Sequence, residues 1–167
     1  MTNKDRQRIF SKWLELHKSL IFKIVRAYAN SSDDQDDLFQ EIIIQVWHSV
    51  PSFRQESSES TWLYRIALNT AIKWVRQEQK HNNNEALDHL TEVLHEASPM
   101  DEQLSWLYEA IHRLDKVDRS ITLLLLDGFT YKEMAAVLGI TESNVGVKIN
   151  RIKKQLIEQS KSQGYGV

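Results

Sequence analysis

Residues 129–156 read FTYKEMAAVLGITESNVGVKINRIKKQL. Thr130 with Glu133 three positions on is a capping box, in which each side chain satisfies the other residue's backbone N–H, so a helix opens here. Its apolar run ends at Leu138, and Gly139 supplies a turn conformation that most side chains resist. Thr141 is placed to cap a second helix. Two helices joined by such a turn form a helix-turn-helix, which wants a small residue where they cross, and Ala135 stands there. In the second helix Val145, Ile149, Ile152 and Leu156 fall at the spacing of a buried stripe. One residue back, Asn144, Lys148, Arg151 and Gln155 repeat that spacing about 100° further round the helix.

Those side chains suit a nucleic-acid groove. Arg and Lys pair with guanine edges or phosphates, Asn and Gln read adenine, and an exposed Val can touch a thymine methyl. Ser143 and Val147 lie further round, and no acid occurs between positions 143 and 157 to offset Lys148, Arg151, Lys153 and Lys154. Yet the whole chain carries a formal charge of −2, which duplex DNA should mildly repel.

The 167 residues allow one ordinary domain or two small ones. With 41% apolar and 26% charged residues, a packed globular chain is expected. Five Gly and two Pro are too few for a fold built on many tight turns. The absence of Cys excludes disulfides, thiolate zinc sites and a cysteine nucleophile. MTNKDRQRIF at the start has no apolar core and does not read as a secretory signal. No stretch approaches the ~20 consecutive apolar residues of a membrane span, so a cytoplasmic protein without membrane insertion is expected.

Working back along the chain, Ile9, Trp13, Leu16, Leu20 and Ile24 place one stripe on a helix over residues 6–30. NSSDDQDD breaks the pattern, with Ser31 or Ser32 as N-cap. Leu38, Ile42, Val46 and Val50 make the next stripe, widened by Ile43 and Trp47, and Pro51 ends it. After the polar loop SFRQESSES, TWLYRIALNTAIKWVRQEQK is a third helix with Leu63, Ile66, Ala67, Ala71, Trp74 and Val75 expected inside. Residues 79–98 turn polar, then acidic, and read as a linker in which His81, His89 and His95 are solvated rather than metal-binding. Ser98, Pro99 and Asp101 open a second domain, with helices near 99–113 and 116–127, the latter capped by Asp115. The expected fold is all-α: two small helical bundles over residues 1–78 and 99–160, a linker over 79–98 and a tail over 161–167.

DDLFQEIIIQVW, then FRQESSESTWLYRIALNTAIKWVR, then the helix-turn-helix resemble the bacterial sigma-70 family, in its small two-domain extracytoplasmic-function form. The resemblance spans residues 6–160 and breaks in the linker. It implies a first domain, region 2, that docks on the β′ clamp helices of core RNA polymerase and opens the −10 promoter element. It implies a second, region 4, that sits on the β flap and reads the −35 element, and an anti-sigma factor as a further partner. Cofactors, metals and catalytic residues are not expected. In those roles Asp37, Gln40, Glu41 and Ile44 suit polymerase docking, as acids and an amide around an apolar contact. Arg54, Ser57 and Ser58 of the loop suit an unstacked −10 base. Trp62 with Arg65, Asn69, Lys73 and Arg76 suits single-strand capture, which pairs a basic track with aromatic rings. Tyr64 is an alternative aromatic, although core packing accounts for either ring taken alone. The −35 candidates are Thr141, Ser143, Asn144, Val147, Lys148, Arg151, Lys154 and Gln155.

Two departures from the family pattern stand in the last helix. Gly146 replaces a basic residue, and Ile152 stands where a small Ala is usual. The competing reading is a response-regulator type of transcriptional regulator that binds operators as a dimer through the same helix-turn-helix. Its receiver domain would alternate strands and helices, whereas residues 1–78 are patterned for helices throughout. An enzyme has no support from motifs: G-x-x-x-x-G-K-S/T, H-E-x-x-H and a nucleophile elbow are all missing.

Overall fold

The computed structural model describes residues 1–82, 99–162 and 164. Among these there are seven α-helices and no strand. The chain divides into two compact units, Met1–Glu96 and Ala97–Val167. Most of the expected linker, with its acids Glu85, Asp88, Glu92 and Glu96, and the expected cap Ser98 lie outside the described residues.

In the first unit, α1 (Asn3–Tyr28) opens with a capping box between Thr2 and Asp5. It buries Trp13, Leu20, Ile21, Ile24, Val25 and Tyr28. Leu16, expected in that stripe, is 59% exposed. At 100° per residue it points about 60° away from Trp13, while Leu20 and Ile24 stay within about 20°, and its flank of α1 is left uncovered. Next, α2 (Ser32–Ser49) begins at Ser31, whose hydroxyl accepts from the Asp34 N–H at 3.1 Å. Its Leu38, Ile42 and Val46 are fully buried. Pro51 turns the chain through a 3-10 segment, Val50–Ser52. The end of α2 is closed from α1: Arg6 donates Nε and Nη2 to the Trp47 carbonyl at 3.0 and 2.7 Å. The same guanidinium lies 4.2 Å over the Trp47 ring. A cation is thereby placed on a carbonyl that the helix end leaves without an intrahelical partner.

The third helix, α3 (Glu59–Asn82), starts before the expected Thr61 and runs into the segment read as linker. Its buried residues are Leu63, Tyr64, Ala67, Leu68, Ala71 and Val75. Ile66 and Trp74, expected inside, are half-buried instead, while α3 packs against both α1 and α2 with Tyr64 and Leu68 in the core. Glu59 in its first turn meets Lys12 Nζ at 3.3 Å and His17 Nε2 at 3.7 Å. Burial pushes its carboxyl up, but the Trp13 indole, Lys12 and His17 outweigh that and hold it below the usual glutamate range. The indole N–H approaches the carboxylate without closing a full hydrogen bond.

The second unit holds α4 (Pro99–His112), α5 (Lys116–Leu126), α6 (Tyr131–Leu138) and α7 (Glu142–Ser162). Asp115 caps α5 by accepting from the Asp118 N–H at 2.9 Å. Arg119 donates to the carbonyls of His112 and Leu114 at 2.7 and 2.9 Å, tying the end of α4 to α5. Thr130 and Glu133 form the expected capping box of α6. Gly139 takes the left-handed conformation, φ 69°, and the amides of Gly139 and Ile140 both reach the Ala135 carbonyl. Ala135 itself is half-buried. On the same helix Met134 and Val137 are buried, as are Ile111, Ile121, Leu124, Val145, Ile149 and Ile152 of the second unit. Ile152 is therefore a core residue, 1% exposed, and Leu156 is half-buried at the edge.

A Cβ at Gly146 would lie 3.6 Å from the Tyr131 ring, an ordinary contact. Gly146→Ala should therefore stabilise the second unit by about 0.5–1 kcal/mol, the usual cost of a mid-helix glycine. Thermal unfolding checks this, and a lower melting temperature would mean that the Tyr131 ring is displaced. For Glu59, a folded-state pKa below the unfolded one adds stability above the unfolded pKa, and this is lost as pH falls through the folded value. Glu59→Gln should destabilise the first unit at pH 7 and do so less at an acid pH below the ordinary glutamate range. Urea unfolding at both pH values reads the effect, and an equal loss at the two would refute it.

Candidate nucleic-acid and partner interfaces

The outward face of α7 carries Ser143, Asn144, Val147, Asn150, Arg151, Lys153 and Lys154, all exposed. Val147 is 67% exposed, as an apolar contact to a base methyl would need. The polar stripe expected from spacing is only partly on this face. Lys148 and Gln155 are half-buried at its edge, and Thr141 is occupied as the cap of α7, accepting from the Asn144 N–H at 3.1 Å. Asn150 is absent from the residues expected to touch DNA. The repeat 143, 147, 150, 154 points to it, but two of the four cations, Lys148 and Arg151, favour the neighbouring stripe.

Two of the expected DNA contacts have a partner inside the protein. Asp118 on α5 is 4% exposed. Its Oδ2 accepts from Arg151 Nη2 at 2.8 Å, and its Oδ1 lies 3.5 Å from Lys148 Nζ. The second approach is an ion pair without full hydrogen-bond geometry. The side chains of Lys148 and Arg151 are 21% and 57% exposed, so Lys148 is largely turned inward and Arg151 spans from the carboxylate to solvent.

In the first unit, Arg65, Asn69, Lys73 and Arg76 lie exposed along one face of α3. The loop before it exposes Arg54, and Gln55 takes φ 59°, a left-handed turn that few side chains adopt. Ser57 donates to the Ser58 carbonyl at 3.3 Å. Ser58, expected as a free hydroxyl for a base, is instead the cap of α3: it accepts from the Thr61 N–H at 3.1 Å and donates to the Thr61 hydroxyl at 2.8 Å. Trp62 is half-buried, its ring 5.6 Å from Phe53, which meets Trp13 edge-on at 5.2 Å. Its indole N–H is buried without an acceptor among the described residues. Tyr64 is wholly in the core, 1% exposed, and drops out as a stacking platform.

On α2, Asp37 and Gln40 are exposed, Glu41 is half-buried and Ile44 is 47% exposed. Gln45 donates to Glu41 at 3.2 Å. Asp33 and Asp36 extend the acidic surface towards the start of the helix. A shallow groove of about 290 Å³ separates this face from the basic one, with Glu41 and Gln45 on one wall and Asn69 and Lys73 on the other. Among the described residues no His, Asp and Glu cluster could hold a metal ion, and no helix is long and apolar enough to cross a membrane.

Residues 13–81 match the family model of Sigma-70 region 2, and residues 104–156 match that of Sigma-70, region 4. The ECF RNA polymerase sigma-E factor of Haemophilus influenzae is 28% identical, over 90% of this chain and 86% of that protein. The sigma-E factor of Escherichia coli is likewise 28% identical, over 92% and 87%. Among solved structures, the sigma factor RpoE of Bartonella quintana, in complex with the anti-sigma factor NepR, aligns with a TM-score of 0.78 at 21% identity. That alignment covers 92% of this chain and 98% of the other. CnrH, in complex with the cytosolic domain of CnrY, aligns at 0.69 and 22% identity over 93% and 90%. Both likenesses show the fold. With region 2 matched on the first helical unit and region 4 on the second, the chain belongs to the sigma-70 family and is a sigma factor of the extracytoplasmic-function type.

Proposed function

We propose that this sigma factor directs promoter-specific transcription initiation through a division of labour among three surfaces. The acidic face of α2, Asp37, Gln40, Glu41 and the exposed Ile44, docks on the β′ clamp helices of core RNA polymerase. Arg54 and the α3 face of Arg65, Asn69, Lys73 and Arg76 take the −10 strand once it opens. The α7 ridge of Ser143, Asn144, Val147, Asn150, Arg151 and Lys154 reads the −35 duplex while the second unit rests on the β flap. The protein itself performs no bond chemistry, and its place of work is the cytoplasm, where polymerase and chromosome are.

The observation that carries this reading is the separation of charge within the first unit. The exposed acids and Ile44 lie on α2 and the exposed Arg65, Lys73 and Arg76 on α3, and one groove between them has Glu41 on the α2 side and Lys73 on the α3 side. This arrangement supports holding a positively charged protein and a negatively charged strand side by side. Duplex affinity grows with the phosphates neutralised and counterions released, and a chain of net −2 supplies little of either alone. An anti-sigma factor is a further partner. The support is that the two structural neighbours were solved as complexes, one with the anti-sigma factor NepR and one with the cytosolic domain of CnrY. The operator-binding regulator is not favoured, because the first unit has no strand among its described residues from which to build a receiver domain.

Run-off transcription with core polymerase on a genomic library tests the whole reading. Defined transcripts with a shared pair of upstream elements are expected; no dependence on the added protein would reject it. Asp37→Lys combined with Glu41→Lys should abolish co-purification with core polymerase while the circular-dichroism helix signal is kept. Normal yield of the complex would take the docking surface away from α2.

A further inference from the structure

We propose that Asp118 is a specificity-determining residue that acts by positioning Arg151 against the DNA and holding Lys148 back from it; this rests on the reading of α7 as the −35 helix. A buried acid directly behind a DNA-facing helix is electrostatically costly: it repels phosphate and subtracts one charge from the two cations it holds. Stability alone is a weak reason to keep it, since buried ion pairs can often be exchanged for apolar residues without loss. The contact therefore has to be explained by what it does to the cations.

The carboxylate is buried, its side chain 5% exposed, and the backbone that carries it is tied on both sides. Asp118 sits in the first turn of α5 with its amide on Asp115 at 2.9 Å, and its carbonyl accepts from the Thr122 hydroxyl at 2.8 Å. It takes one edge of the Arg151 guanidinium through Nη2 at 2.8 Å, while the side chain as a whole stays 57% exposed. A guanidinium carries several N–H donors in a fixed fork, so its remaining donors are offered outward from a fixed point. An exposed Arg loses rotamer freedom when it binds; one already pinned loses less and discriminates better. Lys148, 21% exposed, is held at the edge of the helix as the second counter-charge and kept from reaching phosphates indiscriminately.

The test uses the full chain reconstituted with core polymerase, selecting from promoter duplexes with a randomised upstream element and titrated across salt concentrations. Asp118→Asn should lower base preference at one position at least about fivefold, the loss expected when a fork contact is no longer held in place. It should also steepen the slope of log affinity against log salt by about 0.9, the effect of neutralising one more phosphate. In an Arg151→Ala background the same change should leave base preference as it was. Asp118→Ser serves as the second variant if Asp118→Asn loses its helix signal. A purely structural pair would lower the melting temperature and leave base preference untouched. That result, or an equal change with and without Arg151, overturns the proposal. If the unaltered holoenzyme selects no upstream element at all, the −35 reading of α7 fails and this inference falls with it.

Discussion

Reading DNA with a chain of net negative charge sets the constraint to which the rest of this molecule answers. Sequence-independent affinity for a duplex comes from cations that displace condensed counterions, and here acids outnumber Lys and Arg, 23 to 21. The charges are not spread evenly. Seven Lys and Arg lie on α1 and five on α7, one face of α3 carries Arg65, Lys73 and Arg76, and α2 carries no Lys or Arg and opens with Asp33, Asp34, Asp36 and Asp37. Even on α7 the charge is restrained, since Asp118 is buried against Lys148 and Arg151. A protein arranged this way is suited to selecting among DNA sequences after another macromolecule has brought it to DNA. This fits the sigma-70 family to which the chain belongs.

Each unit is small, and small units leave little apolar burial to spare. Both close their helix ends with side chains. Thr2, Ser31, Ser58, Asp115, Thr130 and Thr141 each accept an N–H at a helix start. Arg6 and Arg119 do the opposite task at helix ends, reaching from a neighbouring helix to carbonyls that would otherwise lack partners. Arg6 thereby ties α1 to α2, and Arg119 ties α5 to α4.

What was legible beforehand was local. Thr130 with Glu133, Asp115, Thr141 and Gly139 act within a few residues of themselves, so spacing alone placed the helices of the second unit. The expected stripes of α2 and α7 survived for the same reason. Burial in α1 and α3 was less legible, because it depends on which flank a neighbour covers. Leu16 ended outside, and Tyr64 and Leu68 are in the core where Ile66 and Trp74 are only half-buried. Ser58 looked like a free hydroxyl because the helix was expected to begin at Thr61, whereas it begins at Glu59 with Ser58 as its cap. The tie from Asp118 to Arg151 joins positions 33 residues apart, and no periodicity reports such a contact. It changes the site most, since it decides how two of the expected DNA contacts are presented.

The central claim is that selectivity is stored in faces too weakly charged to hold a promoter unaided. The direct measurement is the affinity of the full chain for one of its own promoter duplexes at physiological salt, with and without core polymerase. Weak, nearly sequence-blind binding by the protein alone, and tight, sequence-dependent binding by the complex, is the expected pair of results. Tight and selective binding by the isolated chain, unchanged when polymerase is added, would contradict it.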